Sequence, residues 1–133
     1  MTNSIKFKII SSDGKVFSDT IDALYVFTTG GEIGILPNHF PLVARIEISI
    51  FKTIKGGKTN KYAISGGLLN VESDSCYILA DTFEAEADLD KARATKEKMD
   101  AEKILNSRTE DDDSILNAEL SLKKALNRLT LIK

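Results

Sequence analysis

Apolar and polar residues alternate one for one near the start of the chain. Ile5, Phe7 and Ile9 are separated by Lys6 and Lys8, the period of a strand with one buried and one wet face. Asp13-Gly14 breaks that pattern as a turn. After Val16-Phe17, the run Leu24, Tyr25, Val26 and Phe27 is apolar on both faces and predicts a more fully buried strand. Gly30 and Gly31 are expected to supply the positive φ of a tight turn. Glu32 to Leu36 then reads as one short strand, closed by a second turn at Pro37-Asn38, with Phe40 and Leu42 returning into a core. Leu42 to Ile54 is long enough for two short strands or one bent one, and Gly56-Gly57 closes it as a hairpin. Tyr62 and Ile64, a Ser65-Gly66-Gly67 corner, Leu68 to Val71, a Ser73-Asp74-Ser75 turn and Cys76 to Ala80 follow. Turn signals this closely spaced, with no helical period between them, predict eight to ten short strands in an antiparallel sandwich or flattened barrel over roughly the first eighty residues.

The pattern changes at Asp81. From Glu84 onward glycine and proline vanish while Ala, Glu, Lys and Leu dominate, which predicts helix. Asp88 and Asp90 suit a helix start, and a first helix runs to about Leu105. Asn106 to Asp113, NSRTEDDD, has no apolar residue and reads as a loop. A second helix from Ser114 carries Ile115, Ala118, Leu122, Ala125, Leu126, Leu129 and Ile132 at three-and-four spacing, a stripe that must pack on something. The expected fold is α+β: an antiparallel β-sandwich over 1–84 and an antiparallel two-helix hairpin over 85–133.

Composition narrows the function. Eighteen basic and twenty acidic side chains leave a net charge of −2, so no global field argues for nucleic acid or anionic lipid. Cys76 is the only cysteine; it sits in an apolar run, makes no intrachain disulfide and fits a reducing compartment. No apolar run approaches a membrane span and MTNSIKFK lacks a signal-peptide core, so a soluble or peripheral protein without direct membrane insertion is expected. One histidine, one cysteine and no phosphate-loop motif leave no nucleophile and base to carry out chemistry. Asp111-Asp112-Asp113 lacks the alternating ligands and glycine of a calcium loop, and no metal site is assigned.

Two local features stay open on the residues alone. His39 reads either as a turn histidine satisfied by nearby backbone or as a partner contact. The second helix has one acid, Glu119, against Lys123, Lys124, Arg128 and Lys133, which is either a solvated face or a docking surface for an acidic partner. Its lack of aromatics weighs against nucleic acid.

Several motifs, in order, resemble those of the epsilon subunit family of the rotary F-type ATP synthase. GGEIGILPNHFPL at Gly30 to Leu42 resembles that family's GEfGilPgHaPl segment, SGGLLNV at Ser65 to Val71 its SGGfvEV, and ILAD at Ile78 to Asp81 its vLAD. LDKARA at Leu89 to Ala94 resembles its (I/L)-D-x-x-R-A motif, linked in bacterial members to ATP binding. The resemblance implies a sandwich that joins the gamma subunit of the central stalk to the c-subunit rotor ring, with Glu32 and His39 at that interface. It implies a mobile, regulatory hairpin that inhibits ATP hydrolysis, with Lys123, Lys124 and Arg128 meeting the alpha and beta subunits of the catalytic head when it extends. It also implies a non-catalytic, peripheral subunit on the cytoplasmic face of the bacterial cell membrane. No cofactor is required; ATP is implied as a regulatory ligand at Glu84, Asp90, Arg93, Lys124 and Arg128. Asp100 and Lys124 stand where strongly ATP-binding members carry arginine, and lysine lacks the bidentate fork that arginine offers a phosphate. The competing reading of LDKARA is a set of ordinary surface pairs, Asp90 with Arg93 and Arg93 with Glu97. The competing reading of the whole chain is a free-standing sandwich module with a helical nucleotide sensor.

Overall fold

The alternating N-terminal run forms β1 (Ile5–Ser11), with Ile5, Phe7 and Ile9 buried and Lys6 and Lys8 exposed. The computed structural model describes residues 4–107 and 111–132. Residues 1–3 of the N-terminal segment, 108–110 of the expected interhelix loop and Lys133 of the basic set lie outside the described residues. The chain divides into two compact units, Met1–Ala85 and Glu86–Lys133.

The first unit continues with β2 (Val16–Ile21), β3 (Ala23–Thr28), β4 (Gly31–Ile35), β5 (Leu42–Lys55), β6 (Lys58–Val71), β7 (Ser75–Ala80) and β8 (Phe83–Ala85). Their bonded order is β2-β1-β7-β6-β5-β3-β4, with β8 added to β6. The stretch Leu42 to Ile54 is therefore one long strand, and the Gly56-Gly57 hairpin joins it to an equally long β6. β6 pairs with β8 through Tyr62 to Ile64 and with β7 through Gly67 to Val71, so the ribbon belongs to both layers of the sandwich. Burial changes phase along it, from Ile46 to Phe51 in β5 and from Ile64 to Leu69 in β6, as the twisting ribbon turns its other face inward.

The change of partner happens at the Ser-Gly-Gly corner. Gly66 has φ +93, and a Cβ on Gly67 would lie 2.4 Å from the Leu79 carbonyl oxygen. Only a residue without a side chain lets β7 come this close.

Between the layers lies a core that includes Phe7, Val26, Ile35, Phe51, Ile64, Leu69 and Ile78. Phe51 and Tyr62 stack at 4.8 Å, Phe17 lies 6.2 Å from Tyr62, and Phe7 meets both Phe17 and Phe51, tying β1 and β2 to the long ribbon. Each fully buried large side chain contributes about 1.5–3 kcal/mol.

Four local expectations are corrected. One ladder, β1 with β7, is parallel, although the others among the described residues are antiparallel. The chain between the two strands is long enough for such a crossover. Ala85, expected in the helical half, is strand, because buried Phe83 anchors β8 on β6 and overrides its helical propensity. Gly31 has positive φ (113°), whereas Gly30 does not. Phe40 is 86% exposed and Phe27 is 42% exposed. The segment after β4 leaves the sheet, and Ile35 and Leu42 take the inward positions that bracket Phe40.

Cys76 is buried in β7, and desolvation pushes its thiol up to about 12 from an ordinary 9.0. The unfolded thiol ionises first, so stability conferred by this site is complete below pH 9 and is lost as pH rises toward 12. Alkaline unfolding monitored by circular dichroism should show a smaller loss across that window in Cys76→Ala than in the wild type.

In the second unit a short 3-10 turn (Glu86–Asp88) leads to α1 (Lys91–Ser107), followed by α2 (Asp112–Ile132). Asn106 and Ser107 are thus helical rather than loop, and the second helix starts two residues before Ser114. Asp111 caps it: its carboxylate accepts the Ser114 N–H at 2.8 Å, and that bond holds the carboxyl below its usual range. Ala94 and Ala101 of α1 and Ala118 and Ala125 of α2 are buried, each at seven-residue spacing. Ala94 and Ala125, like Ala101 and Ala118, are equidistant from the turn, so small residues meet across an antiparallel hairpin. Leu126, expected in the buried stripe, is 43% exposed, while Leu131, outside that stripe, is buried. The hairpin packs through alanines, which need only a narrow seam.

Candidate functional site

The residues singled out in the helical unit converge on the hairpin. Asp90 is the cap of α1: its side chain accepts the Arg93 N–H at 3.1 Å and its carbonyl accepts the Ala94 N–H at 3.0 Å. Its partner is therefore the Arg93 backbone rather than the guanidinium, which redefines the expected i,i+3 pair.

The Arg93 guanidinium instead donates Nε–H to Glu97 Oε1 at 3.0 Å, one turn along. The second oxygen of the same carboxylate, Oε2, accepts from Arg128 Nη1 at 3.2 Å, across from α2. One carboxylate thus joins two of the arginines expected to face phosphate. The Arg93 side chain is 77% exposed and the Arg128 side chain 19%, so solvent weakens the first pair far more than the second.

Beside this bridge runs a cleft of about 530 Å³ between α1 and α2. Its basic wall is Lys124 and Arg128, one helical turn apart; facing them are Glu97 and Asp100. Ser114, Asn117 and Ser121 of α2 also line it. Sequence reasoning did not pick out these last three, although their spacing marks a polar stripe on one helix face. Nor did it find the Glu97 to Arg128 bond, which depends on how the two helices register. Lys123 is exposed and does not line the cleft, so Lys123, Lys124 and Arg128 do not share one face.

Glu84 lies in β8 of the other unit, half-buried and paired opposite Ala63. Glu32 is exposed in β4 opposite Phe27. His39 is half-buried in the following loop, with Nδ1 2.7 Å from the Phe40 carbonyl, a bond made by the tautomer protonated at Nδ1. Asn38, at φ 66°, donates its backbone N–H to the Ser73 carbonyl at 2.8 Å and so pins this loop to the β6–β7 turn. The loop and its flanks expose Leu36 (55%), Phe40 and Val43 (69%).

Among the described residues no helix is long and apolar enough to cross a membrane, and no cluster of His, Cys, Asp or Glu has the makings of a metal site.

The chain matches two family models end to end. Residues 4–86 match the beta-sandwich domain of the ATP synthase delta/epsilon chain, and residues 87–133 match its long alpha-helix domain. An ATP synthase epsilon chain from Bacillus licheniformis is 41% identical over 130 residues, covering 98% of each chain. The epsilon chain of Desulforamulus reducens is 37% identical over 97% of each. The fold also matches a chain in the solved Euglena gracilis mitochondrial ATP synthase with TM-score 0.84 at 20% identity, covering 100% of this chain and 84% of that one. A weaker likeness, TM-score 0.62 at 8% identity, joins it to a chain of the Tetrahymena thermophila mitochondrial ATP synthase central stalk and c-ring, over 97% and 96% of the two. With both halves of the fold and nearly the full length of its relatives accounted for, the chain belongs to the delta/epsilon chain family of ATP synthase.

Proposed function

We propose that this chain is the non-catalytic epsilon subunit of an F-type ATP synthase rotor, which couples ion flow to ATP synthesis and restrains ATP hydrolysis. Residues 1–84 bind the gamma subunit of the central stalk and the c-subunit ring. Residues 85–133 form the regulatory hairpin, which meets the alpha and beta subunits when it extends. The assembly is peripheral on the cytoplasmic face of a bacterial cell membrane. The observation that carries this reading is the segment linking β4 to β5, where Leu36 and Phe40 on the loop and Val43 at the start of β5 are exposed, held by the sheets beside Glu32 and His39. A rigid scaffold presenting apolar side chains to water is the arrangement of a contact surface.

Co-purification tests the reading against the free-standing module. The tagged chain expressed with the gamma subunit should elute with it as a stable complex; separate elution would favour the module. Glu32→Lys should lower ion-driven ATP synthesis in membrane vesicles while leaving the melting temperature of the isolated chain unchanged. Normal coupling in that variant would remove Glu32 from the interface.

ATP is proposed as a regulatory ligand held within the helical unit by Asp90, Arg93, Lys124 and Arg128. The cleft beside Lys124 and Arg128 supports this, as does the position of Arg93, one carboxylate away from Arg128. A ligand that binds only the folded hairpin stabilises it by mass action, about 1.4 kcal/mol at ten times its Kd. Millimolar ATP should therefore raise the melting temperature by a few degrees, and Arg93→Ala should abolish the rise. No shift in the wild type would return LDKARA to a helix cap and a surface pair.

A further inference from the structure

Glu97 holds two guanidinium groups that belong to different helices. Its oxygens accept from Arg93 at 3.0 Å and from Arg128 at 3.2 Å, the bidentate use of one anion by two cations that a phosphate would also make. Asp100, one turn further on, lines the same cleft as Lys124 and Arg128. The wall facing the basic side of α2 is therefore acidic, and one of its carboxylates, Glu97, already bridges both arginines.

We propose that Glu97 is an internal competitor for the phosphates of the ligand, and that its carboxylate sets the affinity of the cleft by holding Arg93 and Arg128 until a polyphosphate displaces it. This rests on the ATP reading above and assigns its regulation. Binding must break two charge-assisted bonds before new ones form, and the displaced carboxylate, still attached to α1, then repels the incoming anion. Because Arg128 is the more buried of the two arginines, its bond to Glu97 is the stronger part of the lock. The bond also spans the hairpin, so a polyphosphate that takes over both arginines keeps α1 and α2 tied together.

Glu97→Gln keeps the shape and one hydrogen-bond acceptor but removes the charge. Isothermal titration of the full chain with ATP, and separately with sodium tripolyphosphate, should show both binding about tenfold more tightly to Glu97→Gln than to the wild type, the scale expected when one like charge is removed beside a partly exposed anion site. Glu102→Gln is the control, an exposed carboxylate on the same helix that does not line the cleft. It should leave both affinities within twofold, and Glu97→Gln with Arg128→Ala should lose the gain. Equal affinity of Glu97→Gln and the wild type overturns the proposal while leaving the ATP reading intact. An equal gain in Glu102→Gln also overturns it, since net charge then accounts for the effect. Tight binding by Glu97→Gln with none by the wild type supports the proposal and refutes ATP regulation of the natural chain. Binding by neither refutes both.

Discussion

Deletion of residues 112–133, which removes α2 and the residue after it, is expected to raise ATP hydrolysis by the assembled enzyme several-fold, measured with the rest of the subunit retained in the complex. The physical basis is surface that the hairpin leaves uncovered. Its two helices meet through alanines, and α2 keeps Leu116 (56%), Leu120 (44%) and Leu126 (43%) in water. An extended α2 can bury these leucines, together with the half-buried Leu122 and Leu129, against a new partner, so the two arrangements exchange one apolar contact for another. Lys123 is exposed already, whereas Arg128 must first leave Glu97. Replacing Lys123, Lys124 and Arg128 with Ala should reproduce part of the rise, and that part should shrink as salt increases, because contacts between opposite charges are screened and apolar ones are not. Hydrolysis unchanged by the deletion, in an enzyme that still holds the truncated subunit, would place inhibition elsewhere.

Gly67→Val is expected to have the largest effect on the sandwich. The first carbon of any side chain there would lie 2.4 Å from the Leu79 carbonyl oxygen and 3.0 Å from Ala80 Cα, both backbone atoms of the paired strand. No rotamer relieves such a clash, so β6 and β7 must separate at the point where β6 changes partner. Overpacking of a well-ordered core costs about 1–3 kcal/mol, and rigid neighbours put this site at the upper end or above. Thermal unfolding followed by circular dichroism should show a loss of about 10 °C or more, or no folded protein. Gly30→Ala is the contrast: its Cβ would meet only Thr28 Oγ1 at 3.7 Å, and a change within about 0.5 kcal/mol is expected. Equal tolerance at both positions would refute the close-approach account of the Ser-Gly-Gly corner.

Much of this protein is legible in one dimension because its signals are local. Alternation at Ile5 to Ile9, paired glycines at Gly56-Gly57 and the Ala, Glu, Lys and Leu-rich composition from Glu84 onward each depend on a few neighbouring residues, and they became the expected strand, hairpin and, past β8, helices. The aspartates flanking the helices were legible for the same reason, since a cap needs only the first turn of its own helix. What the pattern misjudged were choices between distant partners. Phe40 looked like core because it is large and apolar, yet Ile35 and Leu42 took the inward places and the loop stayed outside. Ala85 looked helical, but β6 offered it a ladder. Glu97 is the clearest case: its bond to Arg93 follows from helical spacing alone, while its bond to Arg128 exists only because an alanine seam sets the register of two helices. Local propensity and period decide the elements, and the burial of one element against another decides which side chains meet.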